Sequence, residues 1–175
     1  MIVRDAAADL ESCLQSVRGV VDEIVIADTG SCDATIEIAR QHGARVYQIP
    51  WRHDFAEARN RALELVQSEW VLVLDADERL DTTGREIIPR LLSPSGAAGY
   101  LVTIRNYLNS LTERVWDRLA VPNDSNLEEA RPYPAYVEHE NVRLFRRSPE
   151  IYFTGRVHET VGARIQKAGG GLATC

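Results

Sequence analysis

Apolar positions along the first half of the chain follow two alternating rhythms. Met1, Ile2 and Val3 form a short apolar strand. Over 9–17 the apolar positions are Leu10, Cys13, Leu14 and Val17, one face of a helix that Asp9 is placed to cap. EIVIAD (23–28) is β-branched and apolar, as a strand buried on both faces is. TGSCD then predicts a loop with Ser31 or Asp33 as cap, a helix over 34–42, and Gly43 where a helix C-terminus favours glycine. ARVYQI (44–49) is the next strand. A second long helix spans 55–67, with Phe55, Ala58, Ala62 and Leu65 on one stripe. WVLVLDAD (70–77) closes the series as a strand. Strands alternating with helices at this spacing predict an α/β fold, Rossmann-like, with a mostly parallel central sheet flanked by helices. Ligands of such sheets sit outside the carboxyl ends of the strands. Asp28 ends one strand, and Asp75 and Asp77 end another, so these carboxylates are expected along one edge.

Past Leu80 the rhythm changes. Residues 83–92 read as a short helix interrupted at Pro89. GYLVTIRNYL (99–108) alternates as a strand. Residues 109–136 are polar, contain Pro122, Pro132 and Pro134, and read as a loop excursion. VRLFRR (142–147) alternates again, and an aromatic IYF strand leads into a Thr154-Gly155-Arg156 turn. Short mixed strands are thus expected to extend the sheet in the C-terminal half. The expected organisation is one domain over 1–175, with a ligand-binding half over about 1–80 and a second half over about 81–175. MIV looks like the end of a strand and GGGLATC like an apolar restart, so the chain is expected to be trimmed from a longer one.

Composition narrows the function. Apolar residues make up 45% of 175, enough for a core. A net charge of -6 argues against nucleic acid as a partner. No apolar run has the length of a membrane span and no signal peptide precedes the first helix, so the expected location is cytoplasmic, with a peripheral position at the inner membrane face left open. The three cysteines, Cys13, Cys32 and Cys175, are scattered and suggest neither a disulfide framework nor a zinc site. Lys167 is the only lysine among 20 basic residues. There is no Gly-Lys-[Ser/Thr] phosphate loop, no strand lysine for a kinase, and no well-placed Schiff-base lysine.

Four places hold candidate chemistry. Asp75 and Asp77 are two positions apart, which in extended backbone puts both on one face. Two carboxylates beyond a buried strand suit a hard divalent cation such as Mg²⁺ or Mn²⁺, with a diphosphate adding oxygens; solvated acidic turns are also common there. Asp28-Thr29-Gly30-Ser31 offers a carboxylate to a nucleobase or ribose, or is an ordinary capped turn. Arg59 precedes the Asp-x-Asp strand and can reach a phosphate or steady an aspartate. His158 and Glu159 supply a metal ligand and a base by type, whereas His42, His53 and His139 read as ordinary histidines.

The order of these stretches resembles one family. DTGSCDAT before a helix, then FAEARNRAL, EWVLVLDADERL and FTGRVHE, is similar to the family-two glycosyltransferases of the GT-A fold, and most of all to a bacterial group with an Asp-Ala-Asp-Glu motif. The likeness runs from MIVRDAAADLESCLQSV to RVHE and leaves 109–136 uncovered. It implies a nucleotide-diphosphate sugar donor across the sheet edge and an unidentified acceptor: a glycan, a lipid-linked sugar or a protein. Donor contacts would fall to Val3, Arg4, Asp28, Arg59 and Asp75. Asp77 and His158 would hold Mg²⁺ or Mn²⁺. Transfer would be inverting, with Glu159 or Glu140 as base. The Glu-Asp pair and Gln-x-x-Arg-Trp motif of many relatives do not occur here. A sugar-nucleotide nucleotidyltransferase fits less well, because MIVRDAAADL lacks a glycine-rich loop. A receiver domain would need a lysine at its last strand. A non-catalytic glycosyltransferase-like scaffold is opposed by the intact DADE and HE.

Overall fold

The run VIAD buries all four of its residues, and it is the centre of the first of two sheets. We describe the fold from a computed structural model, which covers residues 1–92, 97–125 and 127–175. Strands β1 (Ile2–Val3), β2 (Val25–Asp28) and β3 (Arg45–Gln48) lie parallel in the order β1-β2-β3, with Val3 beside Asp28 and Asp28 beside Gln48. Helices α1 (Leu10–Ser16), α2 (Thr35–Gln41) and α3 (Phe55–Glu64) connect and cover them. Leu10, Leu14, Ile26 and Ala39 pack with Val3 and Ala44 into one cluster. Full burial of a side chain such as Leu10 or Ile26 contributes about 1.5–3 kcal/mol. Gly43 ends α2 at φ 77, the left-handed position predicted for it. Asp9 makes no side-chain cap on α1; its carboxylate pairs instead with Arg79 at 3.5 Å. At the start of α2 it is Asp33 that accepts the Thr35 N–H, at 3.0 Å.

The second sheet is mixed. It runs β10 (Gly171–Thr174), β5 (Ala97–Leu108), β9 (Ala135–Arg146), β4 (Trp70–Leu72), with β8 (Val121–Pro122) added to β9. Here the structure departs from the sequence reading in several places. The expected strand over 70–77 is regular only over Trp70–Leu72, and its ladder is antiparallel to β9 rather than part of the parallel sheet. Its backbone leaves the ladder because the Glu78 N–H donates to Asp75 O at 3.0 Å, closing a turn. Helix α4 (Thr82–Leu91) runs through Pro89, so that proline does not interrupt it. The excursion over 109–136 contains a hairpin of β6 (Arg114–Val115) and β7 (Arg118–Leu119), then β8 and the start of β9; Asn126 within it lies outside the described residues. Residues 151–153 form no strand, and only a Thr154–Thr160 bridge closes the loop after them. The glycine-rich tail holds a helix, α5 (Gly162–Lys167), and β10 parallel to β5. Gly99 admits that packing, since a Cβ there would meet Ile165 Cδ1 at 2.8 Å.

Val142, Phe145, Ile151, Phe153, Val161 and Ile165 pack against Ala56 of α3 and Val73 beyond β4, joining α3 to the mixed sheet. A cavity of about 370 Å³ opens between the two halves, walled mainly by apolar side chains such as Leu14, Val17, Leu63, Val71 and Leu144. Asp75, Asp77 and Glu159 are not among its walls. Among the described residues, no helix is long and apolar enough to cross a membrane.

Candidate functional site

Helix α3 begins where the Asp54 carboxylate accepts the Glu57 N–H at 2.9 Å. Its buried face is Ala56, Ala58, Arg59 and Ala62, so small residues let an arginine lie inward. A buried guanidinium needs carboxylates. Arg59 finds two: its Nε donates to Glu159 Oε1 at 2.5 Å and its Nη2 to Asp75 Oδ1 at 2.7 Å. A second arginine meets the same aspartate. Arg143, buried on β9, donates from Nη2 to Asp75 Oδ2 at 3.2 Å and closely to Glu78 Oε1. Glu78 Oε2 in turn accepts the Asp75 N–H at 2.9 Å. One connected ion-pair network therefore ties α3, the turn after β4, β9 and the 154–160 loop.

Charge states follow from this packing. Burial pushes the Asp75 carboxyl up, but Arg59 and Arg143 outweigh it and hold the group below the usual carboxylate range. Burial dominates at Glu78; Asp75 and Asp77 add to it, and despite Arg143 the carboxyl lies above its ordinary value. Burial pulls the Arg59 guanidinium down, yet Asp75 and Glu159 raise it overall. Beneath the turn, Cys13 donates to Asp75 O at 3.4 Å, and burial first, then Glu78, pushes its thiol up to about 12. That thiol is a protonated spacer, not a nucleophile.

The other candidates divide into two groups. Asp77 lies exposed on the turn, and its carboxylate has no hydrogen bond or ion pair among the described residues. His158 is exposed as well, at φ 61, in the loop whose Arg156 carbonyl accepts from Phe55 N at 3.1 Å. Glu140 is exposed on β9, opposite Thr103 and three residues before Arg143. At the parallel sheet's edge, Asp28 is fully buried and turns back on its own loop, accepting from Gly30 N and Ser31 N, both at 3.1 Å, and from the Ser31 hydroxyl. This loop is tied to the end of β1: Thr29 N donates to Val3 O at 2.9 Å, and Asp5 N to Ser31 Oγ at 2.9 Å. Arg4 beside it is exposed. The structure thus joins Arg59, Asp75 and Glu159 directly, and sets Val3, Arg4 and Asp28 together at the neighbouring edge. Arg143 and Glu78 were given no role from sequence. The available signal was an arginine inside the alternating run VRLFRR, which must find a carboxylate if the strand is buried.

A parallel sheet with an acidic turn and a partnered arginine defines an α/β fold of the GT-A kind. Glucosyl-3-phosphoglycerate synthase from Mycobacterium tuberculosis, crystallised with phosphoglyceric acid, superposes with a TM-score of 0.61 at 19% identity, over 99% of this chain and 66% of that one. TarS 1-349 of S. aureus gives 0.57 at 17% identity, over 87% of this chain and 48% of that one. The sequence profile of Glycosyl transferase family 2 matches residues 1–152, and the chain belongs to that family. It is 35% identical over 155 residues to a TPR repeat-containing protein of Synechococcus elongatus, covering 88% of this chain and 38% of the relative. It is 32% identical over 168 residues to the lipopolysaccharide core biosynthesis glycosyltransferase LpsC of Rhizobium meliloti, covering 92% of this chain and 55% of the relative. The chain therefore spans little more than half the length, or less, of these relatives.

Proposed function

We propose that the chain transfers a sugar from a nucleotide-diphosphate sugar to an acceptor hydroxyl, with inversion and with Mg²⁺ or Mn²⁺. The observation that carries this reading is the division of labour among the clustered acids. Asp75 and Glu78 are held by Arg59 and Arg143, while Asp77 is left facing solvent. A carboxylate kept unpaired beside a pinned acidic turn is a place for a cation. Among the described residues no three metal-binding side chains cluster. Mg²⁺ and Mn²⁺ bind through one or two carboxylates and take their remaining oxygens from substrate phosphates, so an open aspartate can serve as the protein's anchor. Asp77 would hold the ion, with His158 as second ligand, and the ion would neutralise charge growing on the leaving diphosphate.

The chain's own residues do the rest. Val3, Arg4 and the loop shaped by Asp28 receive the nucleoside end of the donor. Arg59 fixes Asp75 rigidly, so its carboxylate meets the donor sugar without reorganising. The acceptor oxygen attacks the anomeric carbon from the face opposite the diphosphate. The bond from that carbon to the phosphate oxygen breaks, its electron pair leaves with the nucleoside diphosphate, and the acceptor proton passes to a carboxylate. Glu140, exposed and with no ion pair among the described residues, suits that base better than Glu159, whose carboxylate is committed to Arg59. The likeness to LpsC, a lipopolysaccharide core biosynthesis glycosyltransferase, supports a glycan acceptor in cell-envelope polysaccharide synthesis. Calorimetric titration with UDP-, GDP- and dTDP-sugars, with and without Mn²⁺, tests the proposal. Binding that Mn²⁺ tightens supports it; failure of all three classes overturns it.

A further inference from the structure

The β6–β7 hairpin turns through Trp116 and Asp117, both left-handed, at φ 50 and φ 59. A two-residue turn of this type normally takes Asn-Gly, because a side chain there is strained. A bulky tryptophan at such a position is a conformational outlier. The ring gains little burial in return, since Trp116 is 60% exposed. Its one ring contact among the described residues is with His139 on β9, edge-on at 4.6 Å. His139 is fixed in turn by Asn106 Nδ2, at 3.0 Å from its Nδ1. Burial lowers the His139 pKa, and Arg143 and Arg118 lower it further, so the imidazole under the indole is neutral at pH 7. Arg118 also anchors the hairpin by donating to the Glu138 carbonyl. The tip is thus a strained aromatic ring on a fixed support.

Its place follows from β9. The same strand carries Arg143, which holds Asp75 and Glu78, and Glu140, the proposed base. His139 and Arg143 are four positions apart on the strand, roughly 13 Å along the chain. The ring's surroundings indicate its occupant. Arg114, Asp117 and Arg118 of the same hairpin are exposed, so the indole is flanked in the chain by hydrogen-bonding groups. A pyranose matches that pattern, with C–H groups on one face and hydroxyls at its rim. Leu119 and Val121 are exposed on the same segment, with Asp117 and Arg118 between them and Trp116. A protein interface, which needs about 800 Å² per partner, is the competing occupant that sedimentation separates.

We propose that Trp116 is a stacking platform for a pyranose ring of a glycan acceptor, one or more rings away from the hydroxyl that reacts. This rests on the glycosyltransferase reading for its biological sense, but the binding is testable without it. The probes are methyl glycosides of glucose, galactose, mannose and N-acetylglucosamine, with maltose, cellobiose and chitobiose. Saturation-transfer NMR on the intact chain should show transfer to the ring C–H protons of at least one probe. Trp116→Phe should keep that signal and Trp116→Ala should remove it, while UDP, GDP or dTDP titrations with Mn²⁺ give the same result in all three proteins. No transfer from any probe to the wild-type chain overturns the platform, as does transfer that survives in Trp116→Ala. A dimer in sedimentation that Trp116→Ala converts to monomer also overturns it, by making the ring an interface between copies. Saturation transfer to a sugar probe that depends on Trp116, in a chain that binds no nucleotide, supports the platform and removes the donor reading instead.

Discussion

Replacing Arg59 by methionine keeps the volume of its aliphatic stem and removes the cation from between two carboxylates. The Arg59 and Glu159 side chains are 10% and 13% exposed, and Asp75 is 35% exposed. Removing one partner of a buried ion pair costs about 3–5 kcal/mol, because the other charge stays behind unpaired. Asp75 keeps Arg143 and touches solvent, so its share is small, whereas Glu159 loses its ion pair. The low end, about 3 kcal/mol, is the expected loss. With a urea m-value of about 2 kcal/mol/M for a chain of this size, the unfolding midpoint falls by about 1.5 M. In a thermal scan the same loss lowers Tm by about 9 °C. Urea unfolding followed by tryptophan fluorescence, without nucleotide or metal, reads it directly. Adding Glu159→Gln to the Arg59→Met chain should restore part of the loss, because it removes the uncompensated charge. A midpoint shift below about 0.5 M would refute the reasoning, since the pair would then behave as a surface salt bridge.

Further outcomes follow from the same contacts. Glu140→Gln should lower kcat about 10²-fold or more with donor KM little changed, as loss of a general base does. Glu159→Gln should instead lower stability, measured as Tm, since its carboxylate is spent on Arg59. Glu23 tests acid stability: burial raises its carboxyl, but the Ser68 and Gln67 N–H groups, the Ser68 hydroxyl and Arg45 bring it below its ordinary value. Its folded pKa lies under its unfolded one, so its contribution is complete above about pH 4.5 and is lost as pH falls through the folded value. Glu23→Gln should therefore flatten the acid limb of a Tm-against-pH curve; an unchanged limb would mean the bonds to Ser68 contribute nothing. His139 should titrate below the ordinary histidine value in NMR, given its burial and the charges of Arg143 and Arg118.

The first half of the fold was legible because its signals are local. A continuous apolar run made β2, helical stripes made α1 to α3, and Gly43 marked a helix end. The second half was harder to read for a physical reason. β9 starts in the buried Ala135–Val137 and passes through His139 and Glu140, where the middle of the strand, between two buried ends, is less covered and carries polar residues. Helix α5 was hidden between glycines, and Ile151 and Phe153 of IYF pack in the core without joining a sheet. Candidate acids were visible from their positions at strand ends. Their different states were not, because those depend on contacts between residues distant in sequence. Arg59 meets Glu159 across 100 positions, and Arg143 meets Asp75 across 68. Asp28 shows the same limit: its type and place suggested a ligand contact, but the sequence did not show that it is fully buried and accepts from Gly30 N and Ser31 N.

The central claim is that a pinned Asp75 and an open Asp77 form a metal-dependent site for a nucleotide-diphosphate sugar. Calorimetric titration of the wild-type and Asp77→Ala chains with UDP-, GDP- and dTDP-sugars, with and without Mn²⁺, tests it most directly. One donor class should bind the wild-type chain more tightly with Mn²⁺, and that gain should vanish in Asp77→Ala while its Tm without metal is unchanged or higher. Mn²⁺-enhanced binding that survives in Asp77→Ala, or no binding of any donor to the wild-type chain, would contradict it.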